Sequence, residues 1–385
     1  MASRGQLKKS LKVEFDHYDK DAPRFHGLRK FNLHAGILDP AKLREAFSYA
    51  VFRDGGVPAP RTAFAEVTLT VPGKYYHELL GLFTLTEQVD KQFLNDRFGD
   101  AKGLLLKPQL RGPDYFGERW KDYNDRYHPD REPSADEMRR IIAFANFVNR
   151  ADDEEFRRRI ASELDLPGFL RFLAVSALLV NLDSPLAMPQ NYYLYLDATT
   201  HKFIFFPWDL DLGMAAWPMG GPPEQQMSLS LLHPHIGEHK LIDRLLGIPS
   251  VKEQYLNVIK ELAAGVFSKA KLLQAIEAIE RTTREPLARE VNATAARNER
   301  TGGFLPGGGM SAPAPRTFVE KRTESVAAQL AGKSTGYVPA LPFGPGGGPG
   351  GPGGPRGPGG GPWGRPGERP DQPGGPAGPT PQGPR

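Results

Sequence analysis

The feature that most constrains the fold is one segment, residues 180–213, which reads VNLDSPLAMPQNYYLYLDATTHKFIFFPWDLDLG. Two short aromatic-rich runs, residues 192–196 and 203–206, are separated by the turn-forming sequence DATTHK. This pattern predicts a β-hairpin. Because a hairpin returns the chain to its starting edge, residues just before its first strand and just after its second strand are expected to lie together.

Polar side chains occupy both of these ends of the predicted hairpin. Asp183 and Asn191 precede the first strand, and Asp209 and Asp211 follow the second. Three carboxylates and an amide form an oxygen-rich set of ligands, which suits Mg²⁺ or Mn²⁺. In phosphoryl transfer one Asp orients or deprotonates the attacking hydroxyl, while an amide oxygen and a second Asp hold the metal. The order of residues therefore indicates Asp183 as base, with Asn191, Asp209 and Asp211 at the metal.

Other interpretations of these residues stay open at this point. Lone Asp and Asn residues at strand ends are commonly caps or turn formers, and a DxD pair also occurs in calcium loops and nucleotide-sugar transferases. The spacing differs from that of ordinary protein kinases, because Asn191 follows Asp183 by eight positions and PWDLDLG stands where DFG would be. The pattern alone does not separate catalysis from turn formation.

The same segment resembles the signature of the CotH kinase family, the spore-coat-type atypical protein kinases. The residues that carry the resemblance are NLDSxxxxxQNYYLYxDxxxxKFxFFPWDLDLG. Further matches lie at residues 29–61, 81–94 and 239–259. The resemblance implies an atypical two-lobed, kinase-like α+β fold. It also implies that ATP and Mg²⁺ (or Mn²⁺) are used to phosphorylate Ser or Thr on a protein substrate.

The predicted elements divide the chain into four parts. A small β-rich, nucleotide-side lobe covers residues 1–108, a connection covers 109–134, and a helical catalytic lobe covers 135–332 and contains the hairpin segment. A Gly- and Pro-rich tail, residues 333–385, is predicted to be disordered. Its runs, such as GGGPGGPGGPRGPGGG, break any strict three-residue repeat and so exclude collagen.

Two helices of the catalytic lobe have clear signals. Ser134 and Glu137 have the spacing of a capping box at the start of a helix. Residues 166–180 are strongly apolar and predict a central buried helix, whose C-terminal end delivers Asp183 to the cleft.

Three lysines are candidates for the phosphate side of the nucleotide site. Lys9 lies beside a predicted strand at residues 11–16, Lys30 lies in a second strand, and Lys107 ends a third. A strand lysine that faces a cleft could bind phosphate, although a solvated edge lysine is the commoner outcome.

Arg44 and Glu87 are the remaining nucleotide-side candidates. Arg44 lies off the buried stripe of a helix that is predicted to begin at Asp39-Pro40. The default interpretation is that Arg44 lies on a solvent-exposed face of this helix. The alternative is that it pairs with a carboxylate in the cleft. The resemblance implies that Glu87 pairs with the lysine that binds ATP, and the alternative for Glu87 is a cap on the following helix.

One motif lies outside this scheme. His233-Pro-His235 has the HxH spacing of metal ligands, but no third nitrogen or thiolate ligand is close in sequence. A structural role is therefore favoured for both residues. They belong to residues 214–237, where a kinase has its activation segment, and this region is predicted to be a mobile loop.

Composition excludes several classes of function. The chain has no Cys, which rules out disulfides, thiolate nucleophiles and Cys-based zinc sites but does not decide the compartment. Its net charge of +4 includes no long basic run, so no nucleic-acid partner is expected. No window of 18 apolar residues occurs, so no transmembrane segment is expected. The first ten residues are polar and basic, so no signal peptide is expected.

The N-terminus raises a question about ATP binding. Members of the family usually have a strand and an RxKGNS-type turn ahead of the strand at residues 11–16, and the chain from Met1 lacks both. The small lobe is therefore expected to be N-terminally truncated, and an exported or cell-surface location stays open if the true start lies upstream.

Two alternatives to a kinase stay open. One is a non-catalytic CotH-like surface or coat scaffold with impaired ATP binding, and the other is a DxD nucleotide-sugar transferase.

Overall fold

The structure is a computed structural model that describes residues 7–19, 21–299 and 312–340. The described residues form two small antiparallel sheets and a larger number of helices, which confirms an α+β fold. The strands are β1 (Leu11–Glu14), β2 (Lys30–His34), β3 (Thr62–Val71), β4 (Tyr75–Glu87), β5 (Leu104–Leu106), β6 (Tyr192–Leu196) and β7 (Phe203–Pro207). The helices are α1 (Arg44–Asp54), α2 (Lys91–Phe98), α3 (Lys121–Tyr127), α4 (Ala135–Arg150), α5 (Asp153–Glu163), α6 (Leu166–Leu178), α7 (Pro223–Gln226), α8 (Lys240–Gly247), α9 (Pro249–Ala264), α10 (Lys269–Ala296) and α11 (Pro315–Leu330). Most of the predicted tail, from residue 341 onward, lies outside the described residues.

The strands form two antiparallel sheets, one with the order β1-β2-β4-β3 and one with the order β5-β6-β7. The predicted hairpin is confirmed as β6 and β7, in which Tyr192 lies opposite Pro207 and Leu196 lies opposite Phe203. The short strand β5 pairs with the other edge of β6. This second sheet therefore places the end of β5 beside the hairpin.

The buried apolar side chains form a large cluster and a small one. The large cluster surrounds α6 and takes in α1, α2, α4, α9 and the second sheet. The prediction of a central buried helix is confirmed, because Leu173, Ala174 and Val175 of α6 are fully buried. The small cluster lies on the four-stranded sheet and contains Phe31, Leu33, Ala35, Leu80 and Phe83. Because α1 and α2 pack into the large cluster, the division at residue 108 stays a prediction.

Helix α10 packs against the four-stranded sheet through a partly buried carboxylate, that of Glu290. Glu290 accepts hydrogen bonds from the main-chain nitrogen of Leu82 at 2.7 Å and from Nζ of Lys8 at 2.8 Å. Gly81 makes this approach possible, since a Cβ atom there would lie 2.5 Å from the Glu290 carboxylate. The φ of Gly81, +115°, is also one that glycine adopts readily.

Helix α1 begins later than the sequence predicts. Asp39 was expected to cap the helix with Pro40 at its first position, but the helix starts at Arg44 and Lys42 has a left-handed φ of +51° that interrupts the helical path. Asp39 still provides a hydrogen-bond acceptor for the first turn of the helix, because its Oδ2 accepts a hydrogen bond from the Arg44 main-chain nitrogen at 2.7 Å. The capping box of Ser134 and Glu137 on α4 is confirmed.

The helices of residues 7–19, 21–299 and 312–340 include none that is both long enough and apolar enough to cross a membrane.

Candidate active site

The loop that carries Asp183 starts at an unusual helix end. After α6 the main-chain nitrogen of Asn181 donates to Ser176 O at 3.0 Å and that of Val180 donates to Ala177 O at 3.1 Å. This is the hydrogen-bond pattern of a Schellman motif, which normally has glycine at the left-handed position. Here Val180 occupies that position with a φ of +50°, a strained conformation for a β-branched residue. The turn directs the chain out of α6 toward Asp183.

A buried arginine from α11 caps the same helix end. Arg322 is fully buried, and its guanidinium donates to Ala177 O at 2.8 Å and to Leu178 O at 3.1 Å. It also donates to Leu229 O at 2.7 Å. A cation at the negative end of a helix dipole is favourable. Arg322 therefore joins α11 and residue 229 to the helix that supports the Asp183 loop.

Asp183 is held by two amides that follow it in sequence. Gln190 Nε2 donates to Asp183 Oδ1 at 2.5 Å, and Asn191 Nδ2 donates to Asp183 Oδ2 at 3.0 Å. Asn191 Nδ2 also donates to the Asp183 main-chain oxygen at 2.9 Å. The carboxylate is thus oriented from both sides, as a group that must present a fixed lone pair to an acceptor hydroxyl requires.

The other end of the hairpin meets this loop, as predicted. The main-chain nitrogen of Trp208 donates to Asn191 O at 3.0 Å. Asp209 follows with a left-handed φ of +51°, and its main-chain nitrogen donates to the Tyr49 hydroxyl at 2.9 Å. Six of the eleven non-glycine residues with positive φ among those described lie between Val180 and Ala215. Backbone strain is concentrated in this region, which is common at functional sites.

The three carboxylates interact electrostatically. Burial and the negative charge of Asp209 raise the pKa of Asp183 to about 6, although the hydrogen bonds from Gln190 and Asn191 oppose the shift. Burial raises the pKa of Asp211 well above its ordinary value, and the charges of Asp209 and Glu45 add to the effect. Closely placed negative charges of this kind disfavour one another, and a divalent cation would neutralise them.

Lys107 is a predicted phosphate-side residue that lies beside this charge. Its Nζ lies over the Trp208 ring, 5.3 Å from the ring centroid. Burial lowers the Lys107 pKa, and the charge of Asp209 opposes that effect. Lys107 immediately follows β5, so the pairing of β5 with β6 brings it to the site.

Lys42 is a second cation beside the acidic residues. Its Nζ donates to Gly36 O at 2.6 Å and lies 3.9 Å from Glu290 Oε1. Burial lowers the Lys42 pKa, while the charges of Glu290, Asp39 and Asp211 raise it. Lys42 therefore links the carboxylates of the site to the partly buried Glu290 of α10.

A partly buried histidine and a buried glutamate complete the surroundings. His34 Nδ1 lies 2.5 Å from Glu45 Oε1, and the His34 ring meets the Trp208 ring edge-on at 5.7 Å. Burial lowers the His34 pKa, but the charges of Glu45 and Asp209 outweigh it and the net shift is upward. His34 is therefore more basic than an ordinary histidine, because Glu45 and Asp209 are near.

The other predicted nucleotide-side residues lie elsewhere or have other contacts. Lys30 forms an ion pair with Glu14 at 2.7 Å, and Lys9 is partly exposed beside β1. Arg44 is buried, contrary to its predicted solvent-exposed default, and its Nη1 donates to Asp39 Oδ1 at 2.7 Å.

In the part of the chain that the structure describes, Glu87 neither pairs with a lysine nor caps the following helix. Its carboxylate accepts hydrogen bonds from Arg61 at 2.5 Å and from Arg97 at 2.8 Å, so its ionic contacts are arginines and not a lysine. The cap of α2 is instead Asp90, whose side chain accepts from Gln92 N and Phe93 N. The capping interpretation of Glu87 is therefore wrong.

The donor set fits a magnesium–nucleotide complex. Among the described residues, the one group of three His, Asp or Glu side chains whose ligand atoms all lie within 4.8 Å of one another lies outside this site. Asp183, Asp209 and Asp211 are therefore spread more widely than a closed all-protein cage. Mg²⁺ in nucleotide sites usually takes one or two carboxylates and completes its coordination with phosphate oxygens and water. Asn191 Oδ1 and Asp209 provide ligands of that kind.

Several residues of the site were missed by sequence reasoning. Gln190 stands next to Asn191 in the quoted motif, so its position was a usable signal. Glu45 and His34 lack a local signal, because each is an ordinary polar residue in a helix or a strand. Arg322 is distant in sequence, and only packing brings it to α6.

Similarity to known proteins shows the family to which this chain belongs. Residues 2–323 match the family described as CotH kinase protein. The chain belongs to the CotH kinase family. The resemblance predicted from the hairpin segment is confirmed. Inner spore coat protein H of Bacillus subtilis (strain 168) is similar to this CotH family member, with 25% identity over 235 residues. That match covers 56% of this chain and 58% of the relative, so the chain spans less than two thirds of the relative's length.

Proposed function

We propose that this CotH family member transfers the γ-phosphoryl group of ATP to Ser or Thr of a protein substrate, in a divalent-metal-dependent reaction. The observation that carries the proposal is the joining of the two hairpin ends, where Asn191 contacts Asp183 and the main chain of Trp208 leads into Asp209. Membership of the CotH kinase family supports the same reaction class. In the proposed arrangement the four-stranded sheet belongs to a nucleotide-side lobe and α6 to a catalytic lobe.

Asp183 is proposed to orient and accept the proton of the acceptor hydroxyl. Its two carboxylate oxygens are fixed by Gln190 and Asn191. Its raised pKa, about 6, keeps it ionised at neutral pH but leaves it more basic than an ordinary Asp. That matches the requirement that a general base has a pKa near the working pH.

Asn191 and Asp209 are proposed to hold the metal, with Asp211 supporting or sharing it. A bound Mg²⁺ or Mn²⁺ would bridge phosphate oxygens and neutralise charge there. The Asn191 amide uses Nδ2 for Asp183, which leaves Oδ1 as the acceptor atom for a cation. Lys107, beside Asp209, is proposed to contact the phosphates.

A non-catalytic scaffold is the second candidate. The Bacillus relative is named as a spore coat protein, which favours this candidate. The scaffold would keep the fold but would neither bind Mg-ATP nor transfer phosphate.

The test is a calorimetric titration of the full chain with ATP and with a UDP-sugar, each with Mg²⁺ and with EDTA, alongside transfer of ³²P from γ-labelled ATP to an acidic and a basic protein. The proposal expects ATP binding that requires the metal, together with labelled Ser or Thr in the acceptor. No binding of ATP, with no transfer to either acceptor, would favour the scaffold. Metal-dependent binding without transfer would contradict the proposed transfer to these acceptors. A preference for the UDP-sugar would favour a nucleotide-sugar transferase.

A further inference from the structure

We propose that His233, His235 and Asp243 form a second metal site, for a divalent transition-metal ion of the Zn²⁺ class, apart from the acidic site. Their ligand atoms all lie within 4.8 Å of one another. The two histidines form the HxH motif that precedes α8, and Asp243 lies in the first turn of that helix. The sequence lacked a third nitrogen or thiolate near the motif, and the fold supplies a carboxylate instead.

The central observation is that His235 and Asp243 face each other as two acceptors. His235 Nδ1 lies 2.8 Å from the main-chain oxygen of Gly237, so that nitrogen carries the proton and donates it to the carbonyl. The other nitrogen, Nε2, then has an unshared lone pair. It lies 2.9 Å from Asp243 Oδ1, which is also an acceptor.

A metal cation between His235 Nε2 and Asp243 Oδ1 would relieve the contact between these two acceptors. Its side chain is 1% exposed, and Nε2 has no hydrogen-bond donor among the described residues. In a tetrahedral zinc site two ligand atoms at about 2.0–2.2 Å from the metal lie roughly 3.4 Å apart. The observed separation of 2.9 Å is close to this value, so a small outward shift of the exposed Asp243 would admit the ion.

The supporting contacts are those that metal-binding side chains usually have. A ligating histidine typically donates its second N–H to a backbone carbonyl or a carboxylate, and His235 does so to Gly237. The second oxygen of Asp243 accepts a hydrogen bond from the His239 main-chain nitrogen at 2.8 Å, which fixes the carboxylate. The His233 ring is tilted by 44° relative to the His235 ring, with 4.2 Å between ring centroids, and it is partly exposed.

His239 does not belong to the ligand set. Its Nε2 lies 2.6 Å from Arg111 O, and its Nδ1 accepts from the Ile242 main-chain nitrogen. Both ring nitrogens are therefore used within the protein. Three protein ligands with a fourth position open to solvent are typical of zinc sites that keep a water molecule.

The proposed site holds a segment that touches the Asp183 loop. The main-chain nitrogen of Ile236, between His235 and Gly237, donates to Leu186 O at 2.8 Å. The Arg111 guanidinium donates to Leu186 O and to Ile236 O. An ion at His233, His235 and Asp243 would tie this segment to α8 and so support the loop three residues after Asp183.

The experiment is a Zn²⁺ titration of the EDTA-treated, buffer-exchanged full chain at pH 7.5 against a chromophoric chelator, with Co²⁺ absorption as a second readout. We expect one tightly bound equivalent and the d–d bands of four-coordinate Co²⁺. His233→Ala and Asp243→Asn should each weaken Zn²⁺ binding at least about tenfold. Asp243→Asn keeps an oxygen that can accept from His239, so it preserves the helix cap.

Two control variants make the result specific. His17→Ala removes a surface histidine that also lies beside a carboxylate, 3.6 Å from Glu14, and it should leave Zn²⁺ binding unchanged. Asp209→Ala should also leave it unchanged, because Asp209 belongs to the acidic site. The proposal is overturned if the parent binds no equivalent of Zn²⁺, if it lacks the Co²⁺ bands, or if either control loses as much affinity as His233→Ala.

Discussion

Asn191 donates from one nitrogen, Nδ2, to two oxygens of Asp183, the main-chain oxygen at 2.9 Å and carboxylate Oδ2 at 3.0 Å. Asn191 adopts a left-handed φ of +64°, which Asn tolerates better than most residues. The contact closes the loop between α6 and β6 and brings the proposed base and the proposed metal amide into one rigid group. Rigid placement of this kind lowers the cost of reaching a reactive geometry.

The first prediction separates chemistry from binding. Asp183→Asn should keep Mg-ATP affinity within a few-fold and lower phosphoryl transfer by about 10²-fold or more, since only the group that receives the hydroxyl proton is lost. Asp209→Ala should lose both, because the triphosphate charge is then poorly compensated. Calorimetry and ³²P transfer measure the two effects, with the exposed Asp136→Asn as a control. Transfer by Asp183→Asn at the parental rate would refute the assignment of the base.

The second prediction concerns pH. Asp183 must be ionised to act as a base, and burial together with Asp209 raises its pKa to about 6. The kcat/KM for phosphoryl transfer should therefore be constant above about pH 7 and fall as the pH decreases through 6, approaching a tenfold loss per pH unit below it. Initial rates between pH 5 and 8 at fixed free metal measure this profile. An acidic limb near pH 4, the ordinary Asp range, would contradict the burial of this carboxylate.

The third prediction distinguishes the candidate lysines. Lys107→Ala should weaken Mg-ATP binding by about tenfold, which corresponds to about 1.4 kcal/mol, because its charge lies beside Asp209. Lys30→Ala is the matched control, since Lys30 is paired with Glu14, and its effect should stay within about twofold. Titration of both variants with Mg-ATP decides between them. The reverse order of effects would move the phosphate site to β2.

The fourth prediction concerns the buried cap of α6. Arg322→Met should lower the free energy of unfolding by about 3 kcal/mol, because several buried carbonyl oxygens lose a charged donor. Arg316→Met, on the exposed side of α11 and paired with Glu280, should change it by less than about 1 kcal/mol. Urea unfolding followed by circular dichroism measures both values. Equal effects of the two substitutions would show that the cap of α6 is not needed for stability.

The sequence-based predictions for Glu87 and Arg44 are wrong for the same reason. Glu87 is predicted to pair with a lysine or to cap a helix, but its carboxylate contacts Arg61 and Arg97. Arg44 was assigned a solvent-exposed default and is instead buried against Asp39. Each of these side chains could satisfy its charge in several ways, and a single sequence does not show which oppositely charged residue comes near.

The sequence by itself determined the local features of this protein. The hairpin of β6 and β7, the apolar helix α6 and the capping box of Ser134 and Glu137 follow from periodicity and from residues a few positions apart. Asp183 and Asn191 precede the hairpin and Asp209 follows it. This order likewise predicted that they lie close together, because the two ends of a β-hairpin lie side by side.

Only the tertiary structure decided which distant groups join these features. Arg322 reaches the end of α6 from α11, Lys107 reaches Asp209 through the pairing of β5 with β6, and Asp243 completes the HxH motif from α8. Such contacts depend on how elements pack in space. The spacing of apolar residues predicts which face of a single helix or strand is buried. Which elements become neighbours depends on how all of these apolar faces pack together in the core.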